Sequence, residues 1–318
     1  RESSFDVIAR AISDAHVDVV VEMAGWLSGH KIQTVMLQPA PVQVHFGKGF
    51  AGSVGGSFLD HITADAVSLP VEMAREYHEK LLVLPGTYFP ADHATTYPRV
   101  AVPSTSQRNE LRRSFGLPNG PILANFNQYY KMDRRSFAGW LRILRRLPNA
   151  HLWLSNNTAL GAEKLQAAAG DDADRLHFLG TLPQDEHVQV KSAADVFLDT
   201  PEYNAQGTAV DSLWGGVPVI TLPTLRFTSR TAASILMAAG CHEAVARNQE
   251  DYEDLVSAAV REVGWQRLRR CLERSVLVKT VAFDVQQWTR HWSKGLTILV
   301  ELEDMGLKHF HAVVSKGD

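Results

Sequence analysis

The sequence has only two cysteines, Cys241 and Cys271, too few and too far apart in the chain for a disulfide framework or a zinc knuckle. A reducing compartment fits that usage. No apolar run reaches the length of a membrane span, because the longest are broken by charge or glycine, and Arg1-Glu2 does not open a secretory signal. A soluble chain with no membrane partner is expected. An excess of one charge sign is also missing: 32 basic and 35 acidic residues leave a formal net charge of -3, which argues against a general nucleic-acid binder. Any phosphate must be held locally. The 13 histidines are scattered, and neither His-Glu-x-x-His nor Cys-x-x-Cys occurs, so no metal site is expected. Without a Gly-x-Ser-x-Gly elbow, the common hydrolase version of an α/β fold is disfavoured as well.

What is present is an ordinary globular balance, 45% hydrophobic and 21% charged, in a chain of 318 residues that is long for one domain and comfortable for two. Between about Pro121 and Ala239, short apolar runs alternate with helix-period segments, the rhythm of a parallel sheet. Ile122-Leu123-Ala124, His151 to Leu154, Leu176 to Leu179, Val196-Phe197-Leu198 and Val217 to Ile220 read as buried strands. Helices are expected over Arg134 to Leu147, Ala162 to Ala169, Asp185 to Ala194, Thr208 to Trp214 and Ser229 to Ala239. Upstream, Val17 to Met23, Val42 to Phe46, Ile62 to Ala66 and Leu81 to Leu84 are strand candidates for a second Rossmann-like lobe. A polar junction is expected around Pro103 to Leu117. Helices over Tyr252 to Val263, Trp265 to Leu277 and Phe283 to Met305 complete the reading. The expected division is a first lobe over residues 1–110, a second over 111–280 and a helical tail over 281–318.

In an open parallel sheet, ligands lie beyond the carboxyl ends of the strands. The loop after Leu198 runs Asp199 to Gln206 and enters a helix at Gly207-Thr208, where backbone amides and one hydroxyl can reach a diphosphate. The competing reading, that Gly207-Thr208 is only a helix cap, is about as good. Asp211, one turn on, can accept from ribose hydroxyls. After the first strand of this lobe comes Asn125 to Lys131, in which Lys131 can neutralise a leaving diphosphate, although a lone lysine is more often a solvated surface residue. His187, near the helix that follows Pro183, can contact a base or ribose or simply face solvent. Asp92-His93 is a possible acid/base pair, against which stands the tendency of adjacent side chains to point apart. Gly47 to Gly56 is glycine-rich but fits neither the Walker pattern nor a dinucleotide fingerprint, leaving a flexible loop facing an acceptor as its functional reading.

Leu37 to Gln43, Asp92-His93-Ala94, Asn125-Phe126-Asn127-Gln128-Tyr129-Tyr130-Lys131, Leu198-Asp199-Thr200-Pro201 and Asp211-Ser212-Leu213-Trp214-Gly215-Gly216-Val217-Pro218 occur in that order, followed by Glu250 to Asp254. Together they resemble the catalytic region of the O-GlcNAc transferases and their SPINDLY-type relatives, glycosyltransferase family 41. The resemblance implies an α/β GT-B fold of two Rossmann-like lobes, the N-terminal one truncated here. It implies inverting transfer of N-acetylglucosamine from UDP-GlcNAc to Ser or Thr of a protein acceptor, with no cofactor or metal, in nucleus or cytosol. By position, Lys131 matches the lysine facing the donor diphosphate, and Gln128 matches a neighbouring donor contact. His187 matches the residue near the uracil, Thr208 a phosphate-binding threonine and Asp211 the ribose-binding aspartate. Asp92 and His93 match a catalytic first-lobe segment on the acceptor side, and Gly207 lends its amide to the donor. The family's His-Thr-Thr-Gly is replaced by Gln206-Gly207-Thr208-Ala209. Upstream helical repeats that bind protein substrates, and a histidine acting at the acceptor, are expected to be missing from this chain. The alternatives are transfer of fucose from GDP-fucose and a degenerate scaffold without catalysis.

Overall fold

The computed structural model describes residues 4–97, 103–180, 182–261, 266–268, 272–273 and 280–315. Its strands are β1 (Val19–Glu22), β2 (Val42–His45), β3 (His61–Asp65), β4 (Lys80–Leu84), β5 (Ile122–Asn125), β6 (His151–Ser155), β7 (Leu176–Leu179), β8 (Val196–Leu198), β9 (Val219–Ile220) and β10 (Ala312–Val313). They form two sheets, ordered β1-β2-β3-β4-β10 and β7-β6-β5-β8-β9, and every pairing is parallel. Continuous apolar runs such as Ile122-Leu123-Ala124 and Val196-Phe197-Leu198 suit strands buried on both faces, and all of these residues are buried. The chain divides into two compact units, one of residues 1–90, 225–228 and 285–318, the other of 91–224 and 229–284.

In the first unit the strands step outward in sequence order, and the far edge is closed by the end of the chain. Ala312 and Val313 pair with Leu82 and Val83, while the helix Val285–Asp304 buries Leu299 against Val42, Val44, Leu82 and Leu84. Trp288 and Trp292 stack beside it. Residues 285–318 therefore supply a strand and a core helix, where the sequence suggested a separate tail. The division also falls at Pro90/Ala91 instead of near residue 110. Sequence periodicity alone does not show a two-residue strand added at long range, because its pairing partner lies some 230 residues earlier.

The polar junction expected around Pro103 to Leu117 is a helix, Thr105–Ser114. Ser104 and Gln107 form a reciprocal capping box, and Arg108 and Arg112 reach Asp195 at 3.0 and 2.6 Å. Asp195 also accepts from the Ile122 amide at the start of β5, which anchors this helix to the second sheet. Its polarity reflects ion pairing, not a linker. The expected helix over Trp265 to Leu277 lies largely outside the described residues, of which 266–268 and 272–273 are helical. Cys241 is buried in the second unit.

In the second unit the chain lays down β5, β6 and β7 in one direction, then returns to the other side of β5 for β8 and β9. The strand order thus reverses between β5 and β8. Loops leaving those two strands diverge to opposite faces, which opens a crevice at their carboxyl ends.

Candidate functional site

Both loops at this switch point are tied to each other. Asn125 Nδ2 donates to the Leu198 carbonyl at 2.6 Å, Asn127 Nδ2 to Thr200 Oγ1 at 2.9 Å, and Lys131 Nζ to the Asn204 carbonyl at 3.0 Å. The fully buried Asp199 carboxylate fixes the second loop from within: it accepts from the Thr200 and Ala205 amides and from the Thr221 hydroxyl. Behind it, Tyr252 donates to the Asp199 carbonyl and in turn accepts from Trp140 Nε1. Loop geometry here is therefore set by buried polar bonds on an aromatic support.

The second loop ends at Gln206, whose side chain makes no capping bond to the helix Gly207–Trp214. Gly207 is exposed and Thr208 half-buried, so the first turn presents backbone N–H groups without a side-chain cap. Gly207 and Thr208 are thus the first two residues of the helix, and the cap position is Gln206. Gln206 Nε2 and Asn127 Oδ1, both buried, lack a hydrogen-bond partner among the described residues. These groups surround a cavity of about 590 Å³, lined in part by Gln128, Lys131, His187, Gly207, Thr208 and Asp211. All six residues that the resemblance assigned to donor binding or the diphosphate thus meet at one cavity.

Lys131 lies under the cavity wall, 8% exposed, with its ammonium over the Tyr203 ring at 4.4 Å from the centroid. Burial pulls its pKa down to about 8, opposed by the Asp199 carboxylate, which burial itself pushes up to about 7. An ammonium has three donors, and one of them is used by Asn204. The sequence reading singled out Lys131 but not Asp199 or Asn204, which place it. The signal for Asp199 was position alone, directly after the apolar run Val196-Phe197-Leu198, and Asn204 had none.

Asp211 sits one turn into the helix, with Oδ1 at 2.7 Å from His93 Nε2 and Oδ2 bonded to Lys191 Nζ. Burial pushes its carboxyl up, but His93 and Lys191 outweigh burial and hold the group below the usual carboxylate range. His187 is pushed down by burial, with Lys191 adding to the effect. Asp92 and His93 do not form a pair. Asp92 is exposed and accepts from Thr96 Oγ1, whereas His93 is buried against the rings of Tyr97, Trp214 and Phe283. Both belong to the second unit, not to the first lobe as expected. Lys191, at the end of the helix Gln184–Lys191, gave no local signal in the sequence.

A second cavity, about 670 Å³, is rimmed by the exposed Arg134, Arg135 and Arg142. It contains none of the cavity-lining groups above, and its acidic members Asp133 and Glu202 balance much of its charge. Among the described residues no three His, Cys, Asp or Glu gather within reach of one metal ion. No described helix is long and apolar enough to cross a membrane.

The carboxyl edge of the first sheet is built differently. Glu22, at the end of β1, accepts from the Ala24 and Gly25 amides and bonds His45 Nδ1 at 2.7 Å, while His45 Nε2 meets the Phe50 carbonyl at 2.8 Å. The glycine-rich segment that follows is pinned again, since Glu79 accepts from the Ser53 hydroxyl and the Val54 amide. A Cβ at Gly49 would lie 2.5 Å from the Met23 carbonyl oxygen, so only glycine fits that approach. This segment is packed against its neighbours, in contrast to the flexible loop suggested by its composition.

The sequence profile of glycosyl transferase family 41 matches residues 4–112 and 101–291. The chain belongs to glycosyl transferase family 41. It is 33% identical, over 99% of its length, to the Arabidopsis thaliana protein named probable UDP-N-acetylglucosamine--peptide N-acetylglucosaminyltransferase SEC. A Caenorhabditis elegans protein named for the same activity is 27% identical over 80% of the chain. The chain spans about a third of each relative, 32% and 31%. Among solved structures, the Thermobaculum terrenum O-GlcNAc transferase shares the fold with a TM-score of 0.80 at 24% identity, covering 94% of this chain and 56% of that one. Anabaena HepE, solved in complex with UDP and glucose, gives a TM-score of 0.60 at 12% identity, covering 92% and 82%. The two parallel-sheet units are those of the GT-B fold, as expected from the resemblance.

Proposed function

We propose that the switch-point cavity binds UDP-N-acetylglucosamine and that this chain carries out inverting transfer of the sugar to a Ser or Thr hydroxyl of a protein. The observation that carries the reading is the meeting of Lys131 with the uncapped helix mouth at Gly207-Thr208, with Asp211 one turn deeper. A diphosphate leaving group needs its developing charge stabilised at the moment the anomeric C–O bond breaks. Lys131 and the amides of Gly207 and Thr208 supply that stabilisation in a pre-arranged, partly desolvated setting, in the place a divalent cation takes elsewhere. Gln128 and His187 border the same cavity and are assigned to the sugar nucleotide, His187 on the base side. The acceptor hydroxyl attacks the anomeric carbon from the face opposite the diphosphate, its proton passes to water, and the nucleotide departs with the electron pair of the broken anomeric C–O bond.

Names borne by the relatives support UDP-GlcNAc as donor and a peptide as acceptor. The SPINDLY-type relatives, about as similar as the Caenorhabditis elegans protein at 26% identity over 89% of the chain, are named for UDP-N-acetylglucosamine as well; GDP-fucose is the alternative donor that the resemblance read from the sequence implies. Calorimetric titration of the chain with UDP and GDP separates the two. Tighter binding of UDP, together with transfer of radiolabelled GlcNAc to a protein acceptor, is the expected result. Binding of GDP alone would move the assignment to a fucosyl donor, and binding of neither would leave a non-catalytic scaffold.

A further inference from the structure

Around Asp211 the three linked side chains differ sharply in access: Lys191 is 1% exposed, His93 10% and Asp211 23%. The carboxylate is the accessible tip, and its two partners stand behind it. Each carboxylate oxygen has a second lone-pair direction after one bond is made, so Asp211 keeps acceptor capacity. Along the helix, Asp211 lies about 6 Å beyond Gly207, the depth of a pentose attached to a diphosphate held at the helix mouth. His93 is itself held by Tyr97, Trp214 and Phe283. Lys191 ends its own helix and has its ammonium wholly directed at Asp211 among the contacts described.

Resting on the proposed nucleotide site, we infer that Lys191 and His93 are positioning residues that lock the Asp211 carboxylate to receive the ribose diol, and so set a preference for ribonucleotide over 2′-deoxyribonucleotide donors. With either support removed, the carboxylate gains rotamer freedom and its remaining lone pairs no longer meet both hydroxyls at once. A ligand without the 2′-hydroxyl depends less on that alignment, so the loss falls on the ribonucleotide.

Titration calorimetry of the intact chain with UDP and with 2′-deoxy-UDP tests this, on the wild type, Lys191→Met and His93→Gln, each checked by thermal melting. The wild type is expected to bind UDP about tenfold tighter than the deoxy compound, the range for one hydrogen bond to a charged group. Lys191→Met is expected to weaken UDP alone, bringing the two affinities within about twofold. An equal loss for both nucleotides would overturn the inference, because a purely structural role predicts an unchanged ratio. Tighter UDP binding by Lys191→Met would also overturn it, by showing that the lysine obstructs the carboxylate. If Lys191→Met does not fold, His93→Gln decides by the same ratio. A wild type that binds neither nucleotide sinks the proposed function itself; one that binds both equally leaves that function standing and sinks only the ribose assignment.

Discussion

At the carboxyl edge of the first sheet, Glu22 and His45 direct their hydrogen bonds at their own loops; at the same edge of the second sheet, Lys131 and the helix mouth at Gly207 keep donors in reserve. Both sheets are parallel and both place loops at the same end of their strands. What separates the two edges is that Glu22 and His45 are bonded within the protein while Gln206 Nε2 and Asn127 Oδ1 are buried without a partner among the described residues. Strand order contributes as well, because the first sheet steps outward from β1 to β4 while the second reverses between β5 and β8 and leaves room there. A charged pair in a Rossmann-like unit is thus not evidence of a ligand site until its partners are counted.

The sharpest way to break this comparison is Lys131→Ala, expected to lower sugar transfer by about a thousandfold, as for loss of a donor to a developing oxyanion, with circular dichroism unchanged. Unaltered transfer of radiolabelled sugar would remove Lys131 from the mechanism. Next in size is Asp199→Ala, which strands the Thr200 and Ala205 amides and the Thr221 hydroxyl in the core. A loss of about 3 kcal/mol in stability, read by denaturant titration, is expected together with weaker UDP binding.

The pH dependence of UDP binding sharpens the contrast further. Lys131 titrates at about 8 in the free protein, so the cationic form dominates below that pH and is lost above it. A bound diphosphate favours the ammonium, and affinity is therefore expected to fall by about tenfold per pH unit above the Lys131 pKa. Calorimetry between pH 7 and pH 9.5 on the wild type and Lys131→Met, which lacks the titrating group, checks this; a matching decline in the variant would assign it elsewhere. Smallest is the effect of Glu22→Gln on the first unit. Stability is expected to drop by about 1–2 kcal/mol through weakened bonds to His45 and two amides, with UDP affinity unchanged. A parallel loss of UDP affinity would show that the first edge is not self-contained.

Sequence patterning made much of the architecture legible. Strand cores 122–125, 151–155, 176–179 and 196–198, and the helix Arg134–Arg146, lie within a residue or two of their expected bounds, because buried parallel strands and a strongly amphipathic helix leave unmistakable periodicities. The helix over Thr105–Ser114 was readable from its Ser104-x-x-Gln107 cap but obscured by arginines whose partner, Asp195, lies more than eighty residues on. Around the cavity, Lys131 in its loop and Gly207, Thr208 and Asp211 in the first turns of the following helix carried their chemistry openly. Lys191 and Asp199 did not, since neither their burial nor their partners can be read locally.

The order of apolar runs, turns and polar loops in the chain determined that it would form two parallel sheets with polar loops at the strand ends, because burial on both faces and the period of each element are local properties. Only the tertiary structure decided that His93 would leave Asp92 for Asp211, that Lys191 would complete the cluster and that residues 312–313 would close the first sheet. Those outcomes depend on contacts between segments far apart in the chain, where packing and the need to pair buried charge select the partner.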